Sequence, residues 1–156
     1  MSKNQVRTLL MTFVLSFTFN AYSFPGHQQP RDKKNIILLN DGTGGDKNLV
    51  QAVESNRRTS YVTGAGMKVV ELMPDDTSGS PHQKFRVQLS NGRTIMIISN
   101  LDMCVHIPVQ VGDAVGAGGE FIPTGKNSGL LHWVHSDPKK QRPDGYVELN
   151  GHVYCK

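Results

Sequence analysis

The stretch His82–Ser90 constrains the fold more than any other part of this 156-residue chain. Its side chains alternate, with Phe85, Val87 and Leu89 on one face and His82, Lys84, Arg86 and Gln88 on the other. That period of two belongs to a strand with one buried face. Asn91-Gly92 follows, a strong signal for a two-residue hairpin. Arg93–Ser99 is the return strand. Its run Ile95-Met96-Ile97-Ile98 has no polar face and reads as central and buried.

Strand patterns dominate the rest. Tyr61–Met73 is long and Val-rich, and Gly64 and Gly66 inside it predict a bulge or a sharp bend. Ala114–Ile122 and Leu130–His135 are further strands, and Tyr146–Leu149 and His152–Tyr154 pair across Asn150-Gly151 as a terminal hairpin. Helical spacing occurs only in residues 46–58. There Leu49, Val50 and Val53 share a face, Asp46 stands at the N-cap position, and Arg57 and Arg58 suit the C-terminal end of the dipole. Helices do not alternate with strands, which argues against a parallel sheet. The pattern predicts a mainly β fold: a small OB-like, partly open β-barrel with one short N-terminal helix, or failing that another small barrel or sandwich.

The N-terminus has a different character. Lys3 and Arg7 precede an uncharged apolar run, Leu9–Phe19, and Ala21 and Ser23 are small residues placed as at a signal-peptidase site. The run is shorter than the ~20 residues of a membrane-spanning helix. Residues 1–23 are therefore expected to be a signal peptide, and the protein is expected to be exported, either to the periplasm or beyond the cell. Residues 24–47, with Pro25, Pro30 and the Asp41–Asp46 glycine-rich stretch, read as a flexible segment in which Ile36–Leu39 could be a short strand. The glycines lack the Lys and Ser/Thr of a phosphate loop and are read as linker. Residues 48–156 then form one domain. Without Lys3 and Arg7, 15 basic residues face 13 acidic ones, so the net charge falls from +4 to +2. That balance does not by itself call for nucleic acid or a membrane surface. Cys104 and Cys155 are an even pair in a chain expected to be exported, and a bridge between them would staple the C-terminus to the body.

Two clusters could carry function. His82, Lys84 and Arg86 share a strand face in the region where an OB barrel takes its ligand, and suit an anionic or polymeric ligand, unless the face is merely solvated. Aromatic residues make up only 7% of the chain and Phe85 points inward, which counts against single-stranded nucleic acid. The second cluster is His132, His135 and Asp137, with Trp133 between them. Histidine and carboxylate ligate divalent metals, and such a set would support a small metal-assisted hydrolase acting on phosphodiesters. His132 and His135 would face apart on a continuous strand, so a joint site requires the strand to end near Val134. His82, His106 or Glu120 could complete it. Without a metal, one histidine could act as general acid–base with Asp137 orienting it and Lys84 or Arg86 stabilising an anion. Alternatively Asp137 caps a turn, Trp133 belongs to the core and the histidines hydrogen-bond across the barrel. The expected function is a binding module, with the hydrolase as the alternative. An envelope or host protein is a third kind of partner that the sequence leaves open.

Several stretches resemble a bacterial family, domain of unknown function 3465. They are Pro74-Asp75-Asp76, Gly79-Ser80-Pro81-His82-Gln83-Lys84-Phe85, Asn100-Leu101-Asp102, Gly119-Glu120-Phe121, His132-Trp133-Val134-His135-Ser136-Asp137-Pro138 and Pro143-Asp144-Gly145-Tyr146. The resemblance runs from about residue 48 to the C-terminus and implies extent and fold, with no activity attached. The chain departs from the family's pattern at Ser136, where histidine is usual, and at Tyr146, where tryptophan is.

Overall fold

The computed structural model describes residues 38–39, 45–76 and 79–156. The expected signal peptide and most of the 24–47 segment lie outside the described residues. Within them the chain forms β1 (Leu38–Leu39), α1 (Lys47–Ser55), β2 (Thr59–Asp76), β3 (His82–Gln88), β4 (Thr94–Asn100), β5 (Ala114–Gly125), β6 (Ser128–His132), β7 (Tyr146–Leu149) and β8 (His152–Tyr154). Among the described residues no helix is long and apolar enough to cross a membrane.

β2 organises the sheet because it is long enough to serve two neighbours. Its first half pairs antiparallel with β5, from Thr59↔Phe121 to Lys68↔Ala114. Its second half pairs antiparallel with β3, from Lys68↔Gln88 to Asp76↔His82. Between Gly64 and Met67 the β5 register slips, and Gly66 sits at φ +69°. This is the predicted bulge; a residue with a Cβ would be strained in that left-handed conformation. β3 pairs with β4 along its full length, β4 runs parallel to β6, and β6 pairs with β5. The five strands β2, β3, β4, β6 and β5 thus close a ring, consistent with a partly open, OB-like barrel. β7 and β8 extend it beyond β5, and β1 lies parallel to β2 at Tyr61 and Val62.

The alternation read from the sequence sets the core. Phe85, Val87, Ile95, Ile97, Phe121 and Leu131 are fully buried. Met96 and Ile98 were expected to be buried as well. They are only half-buried, because the outer face of β4 has no layer packed fully against it. The β3–β4 turn is also one residue longer than Asn91-Gly92 alone implies, with Ser90–Gly92 lying between a Leu89 N–H and an Arg93 carbonyl 2.8 Å apart. α1 buries Leu49, Ala52 and Val53. Asp46 stands at its N-cap, but its carboxylate reaches across to the Ser90 N–H and hydroxyl, both at 2.6 Å, and makes no cap bond. The helix stops at Ser55, with Asn56 left-handed at φ 50°, so Arg57 and Arg58 lie beyond its last turn. The connection 101–113 is pinned by buried Gln83, whose side chain accepts the Ile107 N–H at 2.9 Å and donates to the Ile107 carbonyl at 2.7 Å. Cys104 and Cys155 are bridged, with Cα atoms 4.6 Å apart.

Candidate functional site

β6 ends at His132, earlier than the predicted His135, and the chain turns sharply at Trp133, whose φ is +56°. A bulky residue in that region is an outlier that its surroundings must enforce. Two glycines do so. A Cβ on Gly119 would collide with the His132 carbonyl, and one on Gly145 would collide with the Trp133 carbonyl and come within 2.7 Å of the His135 nitrogen. Bare backbone at both positions lets residues 132–135 lie directly against β5 and the start of β7. The Gly145 N–H donates to the His135 carbonyl at 2.9 Å and locks the turn.

The turn gathers side chains from three parts of the chain. The His82 ring, at the head of β3, lies 6.1 Å from the His132 ring. His132 meets Trp133 edge-on at 5.9 Å, and Trp133 is 5.1 Å from His135. The Arg142 guanidinium lies over the indole, 4.4 Å from its centroid, within cation–π range. Behind them sits Glu120, the pairing partner of His132 on β5, its side chain only 7% exposed. Its two oxygens hold Arg58 Nε at 2.8 Å and Arg142 Nη1 at 3.1 Å. Burial, then repulsion from His82, His135 and Arg142 whenever they carry charge, holds His132 below the ordinary imidazole value of 6.5, with Glu120 opposing. His135 is buried and its Nδ1 lies 2.7 Å from the Ser136 carbonyl. A carbonyl only accepts, so Nδ1 carries a proton.

The other expected residues are placed differently. Asp137 is spent on its own loop: Oδ1 accepts the Lys139 N–H at 2.9 Å, and Oδ2 accepts those of Gln141 at 2.7 Å and Arg142 at 2.9 Å. These amides hold its carboxyl below the usual carboxylate range. Among the described residues Asp137 bonds to neither histidine; it acts as the loop anchor that sets Arg142 over Trp133. Nor do any three His, Cys, Asp or Glu side chains among the described residues form a group able to hold a metal ion. On the β3 face the cations have partners from β2. His82 Nδ1 and Lys84 Nζ lie 3.5 and 3.1 Å from Asp76, and Arg86 Nε lies 2.9 Å from Glu71. His106 turns to Asp75, with Nε2 at 3.3 Å. Sequence reasoning missed Arg58 and Arg142. Arg58 is 62 positions from Glu120, and no local pattern marks a contact of that span.

The fold and rim define a small OB-like β protein with a His/Trp/Arg cluster at the end of its closing strand. Residues 36–155 match the family described as Protein of unknown function (DUF3465), and the chain belongs to that family. The match begins upstream of residue 48 and takes in β1. No curated protein and no solved structure matches the chain.

Proposed function

We propose that this protein is an exported binding module for an anionic, polymeric ligand, taken at the rim formed by His82, His132, Trp133, His135 and Arg142. The observation that carries the reading is the Arg58–Glu120–Arg142 bracket beside the indole. Two guanidiniums share one buried carboxylate, so a net positive charge remains. Each guanidinium has five N–H donors and gives Glu120 one, leaving the others to hold a phosphate, sulfate or carboxylate group. Arg58 and Arg142 are 64% and 44% exposed, so those donors face solvent. The bracket moves the centre of the site from the neutralised Lys84–Arg86 stripe to the end of β6. Export draws support from the disulfide, which is characteristic of oxidising compartments. The alternative, a hydrolase with a metal on His132, His135 and Asp137, has less support, because the Asp137 oxygens already accept three amide protons.

Trp133 is the sole tryptophan, so its emission reports on the rim alone. Titration with a sulfated polysaccharide, polyphosphate and polygalacturonate should give a saturable change with at least one of them. The change should weaken with added salt and be lost in Arg142→Ala. Unchanged emission with all three polyanions at millimolar repeat-unit concentration would refute the reading.

A further inference from the structure

His82 and His132 reach the rim from different strands and face each other 6.1 Å apart, planes tilted by 41°. Each is set up differently. Asp76 Oδ1 is buried and, among the described residues, lacks a hydrogen-bond partner, while Oδ2 takes Lys84 Nζ at 3.1 Å. The polar group beside the orphan oxygen is His82 Nδ1, at 3.5 Å, longer than a good hydrogen bond but close enough to tighten into one. A buried acceptor without a donor is costly, so Asp76 favours the His82 form with a proton on Nδ1 and leaves Nε2 as the exchanging nitrogen. His132 is half-buried beside His82, His135 and Arg142, and at neutral pH it keeps a lone pair. One ring is backed by a carboxylate at its Nδ1 and the other is half-buried beside Arg142, and such a difference in surroundings is the arrangement an acid–base pair needs.

We propose that His132 and His82 are the general base and general acid of a ribonucleotide phosphodiester cleavage, with Arg142 on the phosphate. This rests on the rim being the anion site proposed above. His132 takes the proton of the substrate's 2′-hydroxyl, and that oxygen forms a bond to phosphorus. The bond from phosphorus to the 5′-oxygen breaks, and the departing oxygen takes the Nε2 proton of His82. The products are a 2′,3′-cyclic phosphate and a 5′-hydroxyl, and exchange with water resets the two rings. The pair supplies both proton transfers and no nucleophile, so the substrate is one that brings its own. A ribose beside a phosphodiester does; a deoxyribose does not. Cleavage needs the scissile phosphate held, not a run of stacked bases, so the scarcity of aromatic residues is no obstacle. Asp76 is a positioning residue.

The test uses the full chain with a fluorescently labelled RNA oligonucleotide, its DNA counterpart and its 2′-O-methyl counterpart, with product ends identified by mass spectrometry. RNA should be cut to cyclic-phosphate ends with a bell-shaped pH profile, and the other two should stay intact. His82→Gln and His132→Gln should each slow cleavage at least ~100-fold. His152→Gln, on the terminal hairpin, should not. Asp76→Asn should displace the alkaline limb of the profile, the limb that the general acid sets. Cutting of DNA, or cleavage that persists in the His82→Gln/His132→Gln double variant, overturns the proposal. Intact RNA with a normal Trp133 titration overturns catalysis and leaves the binding module standing. Intact RNA with no titration overturns both. The 2′-O-methyl comparison needs no variant, so a misfolded mutant cannot shield the idea.

Discussion

The Ser136 N–H donates to the Cys155 carbonyl at 2.8 Å. The residue that follows the His-Trp-Val-His turn is thereby tied to a half-cystine next to the C-terminus. The disulfide holds the rim as well as the chain end. Cys155 also lies beside Ser99 of β4, with Oγ 3.7 Å from its sulfur.

Reduction of that bridge should therefore register in two places. The loop it closes spans 51 residues, so its loss should destabilise the fold by about 4 kcal/mol on chain-entropy grounds. Thermal melts with and without reductant, and of Cys104→Ser/Cys155→Ser, measure this. Trp133 emission should shift in the reduced native protein before global unfolding, because the Ser136 tether loosens. An unchanged melting temperature would show that the bridge contributes nothing.

Gly145→Ala should be among the most damaging single-methyl additions in the chain. The added carbon meets backbone of Trp133, His135 and Gly118, none of which can rotate away. A cost of about 1–3 kcal/mol or more is expected. Gly79→Ala, at positive φ with nothing within 4 Å, is the control for backbone strain alone. Chemical denaturation of the two variants should separate them, with altered Trp133 emission only in Gly145→Ala.

Stability should fall with acid in two steps. His132 has its folded-state value lowered below 6.5, so the unfolded chain binds more protons. Its contribution is fully present above that value and is lost as pH falls from about 6.5 through the lower folded value. Asp137 and Asp144 are lowered below 3.8, Asp137 chiefly by the Lys139 amide and Asp144 chiefly by Lys140. Their contributions hold above about 4 and are lost below it. Melting temperature recorded from pH 8 to pH 2 should show both declines, and His132→Gln should erase the first. A flat profile between pH 7 and pH 5 in the wild type would contradict this account of the half-buried imidazole.

Much of the fold was legible because strand burial is written locally. The alternation of Phe85, Val87 and Leu89 against Lys84 and Arg86 survives intact, and Gly66 marks the bulge it was expected to mark. Errors arose where distant contact overrode a local rule. Asp46 looks like a cap until Ser90 arrives 44 positions later and takes its carboxylate. Arg58 looks like a helix-dipole cation, yet the helix ends first and Glu120 takes the guanidinium. Asp137 is a different case: the sequence offered it either to the histidines or to a turn, and the amides of its own loop take its oxygens because they are adjacent.

The sequence by itself determined the strands, the hairpins, the membership of one core and the sole possible disulfide, because periodicity and turn chemistry act over a few residues. Tertiary structure decided the site. His82, Glu120, His132 and Arg142 belong to different elements, and only ring closure through the β4–β6 and β2–β5 pairings brings them to one rim. Trp133 turns there because Gly119 and Gly145, distant in sequence, leave room for its backbone. Such proximity depends on register between non-neighbouring strands, which no local pattern encodes.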